Sequence, residues 1–199
     1  MVIKYFGHSF LLLEGNDYSI CLDPFCDVGL NIPNISSNYV FSSHNHFDHN
    51  NIKIVKNAKL VKESDCFKII PTYHDNKKGA LRGKNNVLLF KLDGVKIAFM
   101  GDFGENNNEE VITILKNVDI LFIPIGGKYT IDSKTAYNYI NEIKPKLAIP
   151  IHYKIEGSNI DIADEKEFLS YFNNYQIKNT PYTYDNESGV VVLSVVKES

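Results

Sequence analysis

Tryptophan is missing from this 199-residue chain, proline occurs seven times and cysteine only three times. With 12 Phe and 12 Tyr beside so little proline, a disordered or fibrous polypeptide is excluded. The three cysteines, Cys21, Cys26 and Cys66, are odd in number and lie in or beside apolar runs, so reduced and mostly structural thiols are expected. No His or Cys follows Cys21 and Cys26 at finger-like spacing, which argues against a zinc site seeded by that pair. Positive charge is not in excess either: 21 basic side chains stand against 24 acidic ones, a formal net charge of -3. That leaves no global field for nucleic acid and no polybasic tail for a membrane surface, and neither partner is expected. No apolar run approaches the roughly 20 residues of a bilayer span. The first residues also lack the basic start and apolar stretch of a secretory signal, so a cytoplasmic location is expected.

What is present is a succession of short apolar runs. They predict strands at 2–5, 10–13, 18–22, 39–41, 59–61, 68–71, 87–92, 95–99, 120–124, 147–151 and 190–196. Gly15-Asn16-Asp17 and Asp93-Gly94 supply the turns of two hairpins, the second with a two-residue loop. Ala136, Tyr139, Ile140 and Ile143 fall at i, i+3, i+4 and i+7, after an N-cap at Asp132 or Ser133 and before Pro145, which predicts a helix. Further helices are expected at 109–115 and 165–172. No linker, low-complexity tract or repeat divides the chain, so one domain over 1–199 is expected, long enough to bury a continuous core. Hairpins first, then alternating helices and strands, predict an α/β architecture of sheets covered by helices.

Six histidines occur, and three of them lie within six residues: His44-Asn45-His46-Phe47-Asp48-His49. At the chain's own His and Asp frequencies, chance produces H-x-H-x-D-H on the order of once in a few thousand such chains. The bland alternative is a His-rich solvated loop. Two imidazoles at i and i+2 after a strand can point to one side and chelate an ion, while Asp48 and His49 turn toward a neighbouring position. Imidazole with carboxylate suits Zn²⁺, Mn²⁺ or Fe²⁺ better than Ca²⁺ or Mg²⁺. Position then suggests partners: His44 follows the run 39–41, His74 follows 68–73, Asp102 follows 96–101 and His152 follows 147–151. Each stands at the carboxyl end of a predicted buried strand, where sheets of this kind form their ligand-binding rim. Alone, His74 or His152 reads more naturally as a packed histidine; four such endings beside the dense motif reverse that reading.

The order His44-x-His46-x-Asp48-His49, His74, Asp102, His152 resembles the metallo-β-lactamase superfamily of binuclear metal hydrolases, over nearly the whole chain. Gly7-His8-Ser9 and Leu22-Asp23-Pro24-Phe25 look like its compact branch of Zn-dependent hydrolases, which is related to ascorbate-phosphate lactonases and to the phospholipase D acting on N-acyl ethanolamine phospholipids. Arg82-Gly83-Lys84-Asn85, Gly101-Asp102-Phe103-Gly104, Pro124-Ile125-Gly126-Gly127-Lys128-Tyr129-Thr130-Ile131-Asp132 and Pro150-Ile151-His152-Tyr153 are similar to patterns of that branch. The resemblance implies an αββα four-layer sandwich. It also implies two divalent ions, zinc with manganese or iron as alternatives: one held by His44, His46 and His74, the second by Asp48, His49 and His152, with Asp102 bridging. Asp48 would in addition orient the hydroxide formed between the ions, and Asp23 would support the His-motif loop. Phe99 and Phe103 depart from the branch at positions that are not ligands. The stretch from 49 to 74 is shorter than in the lactonase-like relatives, so their substrate pocket does not transfer.

Other residues are read from position alone. His8 fills no ligand slot, and either supports the site or packs at its rim. The loop 75–86 carries Lys77, Lys78, Arg82 and Lys84 directly after His74, a local basic cluster able to receive a phosphate or carboxylate, although charge runs in loops are usually just solvated. Lys128 and Tyr129 follow a buried strand and should reach the same rim. The expected activity is therefore hydrolysis of a small-molecule ester, lactone or phosphoester, an anion among the candidates. The alternatives are a phosphodiesterase or nuclease of the same fold, a redox di-iron protein, or a non-catalytic metal-binding module.

Overall fold

A computed structural model describes residues 1–196. The first half forms β1 (Val2–Gly7), β2 (Phe10–Glu14), β3 (Ser19–Leu22), β4 (Ile35–Ser36), β5 (Tyr39–Phe41), β6 (Val55–Lys56), β7 (Lys59–Leu60), β8 (Phe67–Tyr73) and β9 (Lys84–Leu92). Then follow β10 (Val95–Phe99), α1 (Glu109–Leu115), β11 (Ile120–Pro124), α2 (Ser133–Ile143) and β12 (Leu147–Ile151). The chain continues through α3 (Lys166–Ser170), β13 (Gln176–Lys178), β14 (Tyr182–Thr183) and β15 (Gly189–Leu193). No helix among the described residues is long and apolar enough to cross a membrane.

Local chemistry accounts for the main elements. The β9–β10 hairpin turns at Asp93 and Gly94, both at positive φ (51° and 79°), as a two-residue loop matching the strand twist requires. Helix α2 starts where the Asp132 carboxylate accepts the Thr135 N–H at 2.8 Å, and ends at Lys144 in the left-handed region. Helix α1 is capped the same way by Asn108, which accepts from Val111 N–H.

The strands build a six-stranded sheet, β14-β1-β2-β3-β5-β7, and a seven-stranded one, β13-β15-β12-β11-β10-β9-β8. Alternation on β2 and β3 sends Leu11, Leu13, Ile20 and Leu22 into the main core, which they share with Phe90, Ile97, Phe99 and Phe122 of the larger sheet. Val111, Leu115, Ala136, Tyr139 and Phe168 of the helices belong to that core as well. The opposite face of the smaller sheet presents Phe10, Leu12, Cys21 and Val40, and these pack with Phe25, Val28, Ile35 and Val55. The cover there is loop, the β4–β6 pair and a 3₁₀ turn at Ile52–Ile54 rather than α-helix. The α/β sandwich thus has one outer layer of α-helix and one of irregular chain, whose Phe, Val and Ile side chains bury the sheet face as a helical stripe would.

Strand direction places the site. β10, β11 and β12 run parallel, and β8 and β10 are both antiparallel to β9. The carboxyl ends of β8, β10, β11 and β12 therefore meet at one edge of the larger sheet.

Candidate metal centre

His74 and His152 come directly after β8 and β12, and Asp102 follows β10 by three residues. From the smaller sheet, β5 leads into Ser42, Ser43 and His44. These endings converge on Asp102, which is buried. Its Oδ2 lies 3.1 Å from His49 Nε2, 3.1 Å from His74 Nε2, 3.2 Å from His152 Nε2 and 3.9 Å from His44 Nε2. His44, His46 and His74 bring one ring nitrogen each within 4.8 Å of one another, and His8, His49 and His152 do the same. His46 is on the solvent side, the other five histidines are buried.

Several groups fix these rings. Asp23, fully buried, accepts from Ser43 N–H at Oδ1 (2.6 Å) and, at Oδ2, from Ser43 Oγ (2.6 Å) and His49 Nδ1 (2.8 Å). That bond places a proton on His49 Nδ1 and turns Nε2 toward the centre, where Asp102 Oδ2 faces it at 3.1 Å. His44 Nδ1 is engaged by Ser43 Oγ at 2.9 Å, which likewise turns its Nε2 inward. Asp102 N–H donates to Asn85 Oδ1, and Asn85 Nδ2 donates in turn to Thr72 Oγ1 and Met100 O. Gly104 lets its loop lie against the His74 backbone: a Cβ there would come within 2.4 Å of the His74 carbonyl carbon.

His8 lies inside the cluster. Its Nε2 is 3.2 Å from Asp48 Oδ2 and 3.1 Å from His49 Nε2, and its ring centroid is 4.2 Å from that of His152. The His8 carbonyl accepts from Tyr5 OH and from His152 N–H, so this residue ties β1 to the end of β12. His8, Asp23 and His152 all sit at positive φ (55°, 44° and 52°), a backbone cost that non-glycine residues bear chiefly where side-chain direction matters.

Electrostatics of the cluster follow from burial and from its carboxylates. Burial lowers the His44 pKa to about 2, against the pull of Asp102, and lowers that of His8 to about 3, with neighbouring His152 acting the same way. Both rings are neutral, the form that donates a lone pair. Burial opposes charge on His49, yet the carboxylates of Asp102 and Asp23 outweigh it and hold its pKa well above the ordinary value. Burial also opposes ionisation of Asp102, and the imidazoles of His152 and His49 overcome it, keeping that carboxyl well below its usual range. The centre therefore calls for positive charge around an ionised Asp102.

Divalent cations meet that demand, and the atoms present fit them. Asp102 Oδ1 and His44 Nε2 are buried without a hydrogen-bond partner, and buried polar atoms of this kind are ordinarily satisfied. The donors are imidazole nitrogens and carboxylate oxygens, the set that zinc, manganese and iron accept.

All seven ligand candidates of the sequence reading stand at this one edge, with Asp23 and His8 against them. Arg82, Lys128 and Tyr129 line the adjoining cavities. Phe99 and Phe103 are fully buried in the main core, away from solvent. Sequence reasoning gave no role to Ser43, Asn85 or Asp75. Asp75 accepts the backbone N–H groups of Lys77, Gly79, Leu81 and Arg82 and so folds the loop after His74. Adjacency to His44 and His74 was the available signal for Ser43 and Asp75; Asn85 had only its place in the Arg82-Gly83-Lys84-Asn85 run.

Residues 2–152 match the family model of the beta-lactamase superfamily domain. A metal-dependent hydrolase of Staphylococcus aureus (strain JH9) is 28% identical over 198 residues, covering 77% of this chain and 86% of that protein. Among solved structures, a proposed Zn-dependent hydrolase of the metallo-β-lactamase superfamily from Thermotoga maritima superposes with a TM-score of 0.80 at 29% identity, over 98% of this chain and 99% of that one. A proposed metal-dependent hydrolase from Parabacteroides distasonis shares the fold at 20% identity, with a TM-score of 0.66 over 98% and 93% of the two chains.

Proposed function

Because this chain belongs to the beta-lactamase superfamily, its matched residues spanning every candidate ligand, we propose that it is a binuclear metal-dependent hydrolase of small molecules. His44, His46 and His74 would hold one cation and Asp48, His49 and His152 the other, with Asp102 shared between them. Zinc is the metal we propose, on the strength of the imidazole-rich donor set, manganese and iron being the alternatives. When bound, such a pair supplies Lewis acidity, polarising an ester, lactone or phosphoester oxygen and bringing the pKa of water toward about 7.

The chain's own part is positioning and proton handling. Asp48 lines the main cleft, its side chain 17% exposed, while His8 Nε2 can donate to Oδ2 from behind. Burial would raise the Asp48 pKa, but the His8 hydrogen bond and the charge of His49 outweigh it, so the carboxyl is held below its usual range. It is thus ionised at neutral pH and able to accept a hydrogen bond and orient water at the cleft floor. Asp23 and Ser43 keep the His-motif loop from relaxing as substrate enters.

The observation that carries this reading is Asp102 Oδ2 within 3.2 Å of three imidazole Nε2 atoms in a buried pocket. Elemental analysis of gently purified protein, paired with a panel of generic esters, lactones and phosphodiesters, tests it. About two equivalents of zinc are expected, with hydrolysis lost on chelation and restored by adding the metal. Protein that carries no metal and takes none up would overturn the reading. Turnover of phosphodiesters alone would narrow it to a phosphodiesterase.

A further inference from the structure

Two cavities adjoin at the rim. The larger, of about 730 Å³, lies over His46, Asp48, His74 and Asp102, and the smaller is lined by Gly104 and Thr130; His74, Arg82 and Tyr129 border both. The larger volume is that of a small-molecule site, within the range of roughly 300–1,000 Å³ typical of such pockets.

Arg82 is the one arginine of the chain. Its guanidinium carbon stands 5.5 Å from the centre of the Tyr129 ring, and among the described residues no carboxylate lies within ion-pairing range of it. The nearby Lys128 differs: its ammonium is taken by Asp161. The backbone beneath Arg82 is already ordered, because Asp75 accepts its N–H at 2.8 Å along with those of Leu81, Gly79 and Lys77. A guanidinium held over an aromatic face on a pre-formed loop, with its fork free, is suited to a planar or tetrahedral oxyanion, and binding there costs little further ordering.

The same cleft has an apolar mouth. Phe47 is 62% exposed and Leu81 67%, and both line the larger cavity together with Ile160. Phe47 lies between the ligand candidates His46 and Asp48, and Leu81 precedes Arg82, so an apolar wall and a cation flank the same ligand atoms. Large apolar side chains left in water at the entrance of a polar centre mark where a ligand's apolar part rests.

We propose that the substrate of this centre is an amphiphilic organic anion. Its carboxylate or other oxyanion pairs with Arg82, its apolar chain or ring covers Phe47 and Leu81, and its hydrolysable group lies over Asp48, His74 and Asp102. This rests on the hydrolase reading for the turnover, though not for the binding.

Matched 4-nitrophenyl esters test it on the metal-replete protein: neutral butyrate and octanoate esters against the half-esters of succinic and suberic acid. The suberate half-ester is expected to exceed both the neutral octanoate ester and the succinate half-ester in kcat/KM by about tenfold or more. Arg82→Ala should raise KM for the half-esters by about tenfold and for neutral esters by much less, with Arg82→Lys intermediate. Phe47→Ser with Leu81→Ser should raise KM for the long esters whatever their charge. Calorimetric titration with decanoate supplies a readout independent of turnover, and Arg82→Ala should weaken it. Hydrolysis with no preference for charge at matched length, or equal effects of Arg82→Ala on neutral and anionic esters, overturns the proposal and leaves the hydrolase reading standing. Decanoate binding that depends on Arg82, without turnover of any ester, supports the anion site and counts against the hydrolase reading.

Discussion

Nε2 of His8 lies 3.2 Å from Oδ2 of Asp48, across 40 residues of chain, so the end of β1 meets the His-motif loop at the candidate ligand cluster. The bond fixes the rotamer of a carboxylate that lines the cleft. Replacing His8 with Asn, which tolerates the positive φ at this position, removes the reach to Asp48 without adding backbone strain. A loss of about 10- to 100-fold in kcat is expected, with the metals bound more weakly and KM little changed. Steady-state kinetics beside metal analysis check this; an unaltered kcat would reduce His8 to a packing residue.

Among the described residues, Asp102 is the one carboxylate in contact with imidazoles from three separate loops. Asp102→Asn keeps its volume and removes the negative charge that the two proposed cations would share. The variant is expected to fold, bind about one metal instead of two, and lose at least ~10²-fold in kcat. If Asp102 only shaped the turn after β10, stability would change while metal content and rate would not, so stoichiometry and kcat should be measured on one preparation.

Asp23 accepts three hydrogen bonds in a site with no solvent contact. Asp23→Ala strands the Ser43 N–H, the Ser43 hydroxyl and His49 Nδ1 at once. Destabilisation of about 2–4 kcal/mol is expected from these unpaired groups. Because His49 would lose its orientation, zinc affinity should fall by about 10- to 100-fold as well. Urea denaturation and competition with a metal indicator read the two effects separately.

Gly104→Ala probes the packing of two loops without touching a ligand side chain. The new methyl would meet the His74 carbonyl carbon at 2.4 Å and the Asp75 nitrogen at 2.5 Å, both backbone atoms that cannot rotate away. A cost of about 1–3 kcal/mol is expected, with weakened metal binding because the loops must part where His74 is anchored. Wild-type stability and affinity would mean that the loops part without strain.

The amino-acid order alone determined the long central strands and the places of the candidate ligands. Runs such as 120–124 and 147–151 are apolar on both faces because their strands are buried on both sides, and that pattern is visible without knowing the neighbours. Four ligand candidates, His44, His74, Asp102 and His152, were legible because each follows an apolar run, and His46, Asp48 and His49 because they crowd into one motif with His44. The short strands β4, β6, β13 and β14 left no such trace, since two or three residues carry no period and their pairing is made by partners distant in sequence. The irregular outer layer was hidden too, because scattered Phe25, Val28, Ile35 and Val55 bury a sheet face without helical spacing. Only the tertiary structure decided which polar groups meet. It brought His8 beside Asp48, set Asp23 under His49, and paired Lys128 with an aspartate 33 residues on while leaving the Arg82 guanidinium over Tyr129. These are contacts between single side chains across long loops, fixed by how two sheets pack and not by any local propensity or spacing that the chain displays.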